Sequence, residues 1–174
     1  MTVHVYALVV GGASCVLDDV AAARALLGDR PHSVLVTNDM IADFPAYDVA
    51  VTLHPDKLPM WLDRRAASPW PKPTVIWAHR KASSLVTHAT PDWAGSVSLF
   101  AAKVALETGH DRVIVCGAPL TVSKHYRRQT HWTAAIGFRK GWQAHLGDIR
   151  ERVRSMSGWT GELLGMPTRD WLAG

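Results

Sequence analysis

This chain is poor in the features that would announce a function. It has only two cysteines, Cys15 and Cys116, and no CxxC pair, so neither a disulfide framework nor a cysteine zinc site can be built from it. We read both thiols as reduced and buried, as cysteine usually is, with catalysis by either as the lesser reading. No apolar run approaches the roughly 20 residues that span a bilayer. The N-terminus lacks a basic leader, and the apolar stretch Val3–Val10 ends at Gly-Gly without a cleavage site, so we place the chain in the cytoplasm. There is no GxxxxGK[ST] phosphate loop, no GxGxxG and no GxSxG elbow. No helical His spacing marks a metal triad. His54 and Asp56 are two ligands without a third, so no metal site is assigned and a divalent cation is left open.

What is present is an ordinary folded composition. The 174 residues are 48% hydrophobic and 20% charged, which excludes a disordered chain and suits one domain over 1–174. The charge is uneven. Residues 121–154 carry eight Lys/Arg and two Asp/Glu, whereas the rest is slightly acidic. Such a concentration points to an anionic partner, either a phosphorylated small molecule or a nucleic acid, and its plain alternative is a solvated basic face.

Strands and helices alternate along the chain. HVYALVV (His4–Val10) reads as a buried strand that breaks at Gly11-Gly12, followed by a helix over Leu17–Leu27 with Asp18 and Asp19 in its first turn. Ser33–Thr37 is a second strand ending at Asn38-Asp39, and Asp48–Leu53 a third ending at His54-Pro55. A helix over Lys57–Arg65, a Pro-rich connector over 66–73 and a fourth strand over Thr74–Ala78 follow. Residues 79–93 read as an irregular polar loop.

Ser96 is placed to cap an apolar helix, Val97–Thr108, which Gly109 ends. Arg112–Cys116 is a fifth strand, read as central, ending at Gly117-Ala118-Pro119. A basic loop over 121–131, a helix over 132–147 interrupted by Gly137 and Gly141, a short strand over Val153–Met156 and a tail over 157–174 that packs back complete the chain. The fold class is α/β: a three-layer α/β/α domain with a mostly parallel sheet of about five to six strands.

In such sheets ligands sit beyond the strand C-termini. Those ends collect Gly11, Gly12, Ser14, Asn38, Asp39, His54 and Gly117. Small residues there let backbone N–H groups approach a phosphate, although a tight turn has the same composition. Asn38-Asp39 suits a base or ribose, or equally an Asx turn or helix cap. KHYRRQTHW (124–132) is the most chemically loaded stretch. Lys124, Arg127 and Arg128 suit phosphate contacts, Tyr126 adds a phenolic donor, and His125 or His131 can act as a base near neutrality.

The order of these motifs resembles a Rossmann-like group that includes bacterial sialyltransferases with a single nucleotide-sugar domain and DUF115 or MptE-like pterin diphosphokinase proteins. Five pieces carry the resemblance: VVGGASCVLDD, VTNDM, TLHPDKL, AGSVSLFAAKVALETGHDRVIVCGAPL and KHYRRQTHW. The tail VRSMSGWTGELLG is also similar to uncharacterised phage-encoded proteins. The family likeness implies nucleotide binding by Gly11, Gly12, Ser14, Asn38, His54, Gly95 and Ser96. It implies a phosphate contact by Tyr126, and a base at His131 or, as second choice, His125.

The implied activity is a nucleotide- or nucleotide-sugar-binding transferase that moves a sugar or phosphoryl group to a hydroxyl acceptor. Two departures stand out. Pro119 replaces a carboxylate, and the chain is shorter than those enzymes, implying a reduced lid over the acceptor. Non-catalytic nucleotide sensing and nucleic-acid association are the alternatives. No cofactor is required, and a homo-oligomer is compatible with everything above.

Overall fold

The computed structural model describes residues 5–174, so His4 of the first predicted strand lies outside the described residues. In chain order the main elements begin with β1 (Tyr6–Val10), α1 (Val16–Leu27), β2 (His32–Thr37), α2 (Met40–Asp43), β3 (Val49–Thr52), α3 (Leu58–Ala66), β4 (Ile76–Ala78) and β5 (His88–Ala89). They continue with α4 (Val97–Glu107), β6 (Arg112–Cys116), β7 (Ser123–His125), β8 (Arg128–Trp132), α5 (Arg139–Ala144), α6 (Leu146–Ile149), β9 (Val153–Ser155), α7 (Gly158–Leu164) and α8 (Arg169–Ala173).

Seven strands form one sheet in the order β5-β4-β3-β2-β1-β6-β9, and every pairing in it is parallel. The sheet is therefore wider than the five to six strands expected. The addition is one short edge: β5 lies inside the segment read as irregular, and its two residues pair with Trp77 and Ala78. The strand Arg112–Cys116 is not central but next to last, between β1 and β9.

The apolar run of β1 is continuous because both of its faces are covered. Tyr6, Leu8 and Val10 point into a cluster with Val16 and Val20 of α1, Ile41 of α2, Trp61 of α3 and Leu172 of α8. Ala7 and Val9 point into the opposite cluster with Leu99 and Val104 of α4, Trp142 of α5, Ile149 of α6 and Leu164 of α7. This period-2 division builds the three layers. As its composition predicts, α4 is enclosed on nearly every side, with Ser98 to Ala105 all buried. The 157–174 segment lies against the body, where the Tyr6 hydroxyl donates to the Leu172 carbonyl (2.7 Å).

Three expectations are corrected. The basic loop over 121–131 is an antiparallel hairpin, β7–β8, with Lys124 opposite His131. The helix over 132–147 is instead a 3-10 turn over Thr133–Phe138 followed by the short α5 and α6. Gly141 of α5 sits so close to Ala94 that a Cβ there would lie 2.5 Å from the Ala94 Cβ. Ser96 stands at the head of α4 but makes no capping hydrogen bond; its Oγ accepts from the Trp142 indole instead (3.1 Å).

The interior also holds charge that composition does not announce, Arg65 most deeply. Arg65 is 1% exposed and donates to the carbonyls of Ile41, Phe44, Pro45 and Pro71, with Tyr47 stacked on its guanidinium. Saturation by carbonyls and a ring face is how the fold tolerates a cation with no carboxylate partner among the described residues.

Candidate functional site

β1 is the strand at which the connections change direction, with β2 on one side and β6 on the other. A parallel sheet opens a crevice beyond its strand ends at such a point. Here the loops after β1 and β6 are pressed together. Gly11 N–H donates to the Cys116 carbonyl (2.8 Å) and Ala13 N–H to that of Gly117 (3.0 Å). A Cβ on Gly11 would fall 2.4 Å from the Gly117 carbonyl oxygen. Gly117, at φ 67°, gives its own N–H to the inward-turned Asp19 carboxylate (2.8 Å). Asp19 also accepts from the Ser157 hydroxyl (2.7 Å), so this carboxylate serves the loop rather than only the start of α1. These glycines are required for loop-to-loop contact, and their N–H groups are already engaged.

The hairpin roofs this junction. Ser14 N–H donates to the Lys124 carbonyl (2.8 Å), Tyr126 N–H donates to the Gly12 carbonyl (3.0 Å), and Ala13 bridges His125. Beneath it lies a crevice of about 360 Å³. Its floor is made by Asn38, Asp39 and His54 from the strand ends and Gly95-Ser96 from the head of α4. Its roof is made by Lys124, His125, Arg128, His131 and Trp132. A more open depression of about 440 Å³ between Pro55, Pro59 and Leu85 has fewer converging polar groups. We take the roofed crevice as the candidate site.

The fold is similar to that of a solved sialyltransferase. That structure is CST-II in complex with a trisaccharide acceptor and CMP; the match has a TM-score of 0.57 at 10% identity and covers 94% of this chain and 87% of that one. No family model matches the chain, and no curated protein matches it. The likeness fixes the α/β architecture. The pterin diphosphokinase side of the sequence resemblance finds no support in these comparisons, and neither does the phage-like one.

The residues singled out in the sequence divide into two groups. Gly12, Asn38, Asp39, His54, Gly95, Ser96, Gly117, Lys124, His125, Arg128 and His131 line the crevice; Gly11, Ser14, Tyr126 and Arg127 do not. Tyr126 turns away and donates its hydroxyl to Asp43 of α2. Burial, then that hydrogen bond and the nearby carboxylate charge, push this phenol well above its ordinary range, so it stays a donor. Arg127 also reaches Asp43 (3.1 Å), which Arg64 grips through both oxygens (2.8 and 2.7 Å).

Asp39 is held at one oxygen by Arg64 (2.9 Å) and the Trp61 indole (3.1 Å). Burial alone would raise its pKa, but those hydrogen bonds and the His125 and Arg64 charges outweigh it, and the carboxyl sits below its ordinary value. The His125 Nε2 lies 3.5 Å from the other oxygen, and its Nδ1 accepts the Arg127 backbone N–H (3.2 Å). Burial lowers the His125 pKa, with Asp39 pulling the other way.

Neither cysteine is set up as a nucleophile. Burial raises both thiols, Cys116 most strongly, and the carboxylate of Asp19 adds to this. Among the described residues no group of three or more His, Cys, Asp or Glu converges as a metal-ligand set. Four contributors escaped the sequence reading: Thr52, Trp142, Asp43 and Arg64. Thr52 and Trp142 sit behind lining residues, and only a three-dimensional neighbour gives them meaning. An Asp43 four residues after Asp39 did carry a signal, since that spacing stacks two carboxylates on one helical face.

Proposed function

We propose that the chain binds a nucleotide sugar in the roofed crevice and transfers the sugar to a hydroxyl acceptor, with His131 as the base. The observation that carries this reading is the hairpin. It suspends His131, Lys124 and Arg128 over Asn38, His54 and Ser96 at the ligand edge of a parallel sheet, on the fold of an enzyme solved with CMP and a sugar acceptor.

In this reading the nucleoside lies against the strand ends, and the phosphate faces Lys124 and Arg128, whose charges stabilise it as it departs. The acceptor oxygen forms its bond to the anomeric carbon as the bond from that carbon to the phosphate oxygen breaks. The acceptor's proton passes to His131. His125 is the weaker base, because its Nδ1 lone pair already accepts the Arg127 N–H and its Nε2 proton faces Asp39.

The test is His131→Ala. Calorimetry should show nucleotide affinity within about threefold of wild type, while product formation from a panel of nucleotide sugars falls about 10²- to 10⁴-fold, the range for losing a general base. Equal loss of binding and turnover removes His131 from the proton-transfer role. A second reading, binding without turnover, draws on Gly117-Ala118-Pro119, which brings no carboxylate to the crevice. Tight nucleotide binding with no donor consumed across the panel would favour it.

A further inference from the structure

Two hydrogen-bond chains behind the crevice determine what its floor offers a ligand. Thr52, at the end of β3, is fully buried. Its Oγ accepts the His54 N–H (2.9 Å), and its hydroxyl donates to Asn38 Oδ1 (3.0 Å). The reversed amide would place Asn38 Nδ2 against an oxygen already accepting from His54, and would strand the Thr52 proton without an acceptor in a site closed to solvent. That is a costly arrangement which buried hydroxyls avoid. Oδ1 therefore stays on Thr52, and the NH2 is the group Asn38 offers the crevice. The left-handed backbone of Asn38 (φ 49°), a conformation asparagine tolerates, sets the side chain there.

Ser96 is oriented in the same way. The Trp142 indole can only donate, and it donates to Ser96 Oγ with both residues buried. The Ser96 oxygen is thus an acceptor toward the core, and its own proton remains to be given to the crevice that it lines.

We infer that Thr52 and Trp142 are positioning residues that present Asn38 and Ser96 to the crevice as donors. This part of the site then takes a ligand edge made of acceptors, such as the carbonyl, ring-nitrogen and ether oxygen atoms of a nucleoside, and disfavours an edge of N–H groups. The inference rests on the nucleotide reading above and adds what that reading lacks: a reason for the polarity of the contact.

The experiment compares wild type, Thr52→Val, Thr52→Ser and Asn38→Asp. Dissociation constants are measured by calorimetry for CMP, UMP, AMP and GMP, and folding is checked by melting temperature. Loss of one fixed donor should weaken the nucleotide that wild type binds about tenfold in Thr52→Val. Thr52→Ser, which restores the hydroxyl, should return to within about twofold. Asn38→Asp, which turns the donor into an acceptor, should weaken binding at least as much as Thr52→Val. Affinity unchanged in Thr52→Val, or a Thr52→Ser variant as weak as Thr52→Val, overturns the inference.

If wild type binds none of the four nucleotides, the nucleotide reading fails, and a second measurement decides the orientation. The Asn38 side-chain amide signals, identified by their loss in Asn38→Asp, should shift in Thr52→Val and return in Thr52→Ser. Signals that stay in place in Thr52→Val overturn the positioning role.

Discussion

Replacing Tyr126 with Phe separates two roles for one hydroxyl. In the folded chain that hydroxyl donates to Asp43, outside the crevice, and the ring packs against the α1 side of the core. The substitution keeps the ring and removes one hydrogen bond to a carboxylate. Such bonds contribute about 1.5–3 kcal/mol, and the partial exposure of Asp43 places this one at the lower end. Asp43 keeps both contacts to Arg64, so no buried charge is stranded.

About 1.4 kcal/mol is a tenfold change in an equilibrium, so the hairpin should open about tenfold more often. Hydrogen exchange reads this directly. The amides of Tyr126 and Ser14, which bond to the Gly12 and Lys124 carbonyls, should exchange about tenfold faster. Amides of β1 and β6 should not change. Acceleration spread equally through the sheet would mean that the contact stabilises the whole fold and not the roof. Hairpin exchange left at the wild-type rate, together with a loss of nucleotide affinity, would return Tyr126 to the phosphate-contact role implied by the family resemblance.

Two further outcomes follow from the same region. Gly11→Ala should destabilise by about 3 kcal/mol, roughly 6–12 °C in melting temperature for a chain of this size, because its Cβ meets backbone that cannot yield; unchanged stability with lost nucleotide binding would mean that Gly11 approaches a phosphate instead. The lowered pKa of His125 means the folded state holds this ring neutral, so its stabilising effect is complete above about pH 6.5 and is lost as pH falls from there toward the folded value. Asp39, also lowered, keeps its contribution until below about pH 4, so between pH 7 and 5 the difference in hairpin exchange between wild type and His125→Gln isolates the imidazole. A pH profile identical in the two proteins would refute that assignment.

The sheet was legible wherever burial imposes composition. The runs of β1 and β6 are apolar because helices cover both faces, and α4 announced its enclosure by being apolar all round. The hairpin was hidden because every residue of β8 is exposed. A strand with no buried face has no alternation to detect.

The glycine loops fit a phosphate cradle and a tight turn equally in the sequence, because composition alone does not distinguish a backbone kept close to a ligand from one kept close to another loop. In Gly11 and Gly117 the second requirement is the one that the fold imposes. Arg65 and Trp142 are not legible in the sequence for a related reason: a charged residue in a helix and an aromatic in a basic segment look like surface until the partners that bury them are known.

The hairpin meets the β1 loop through main-chain atoms, the Lys124 carbonyl to Ser14 and the Tyr126 N–H to Gly12, while the side chains of His125, Tyr126 and Arg127 reach Asp39 and Asp43. The main-chain part of this joint makes no demand on the side chains that lie outside those contacts. Residues such as Arg128, Thr130 and His131 are therefore free to be rewritten without disturbing the seat on which the hairpin rests. For engineering, the segment behaves as an exchangeable cassette: a library confined to its crevice-facing positions would vary what the crevice can bind while the sheet beneath stays constant.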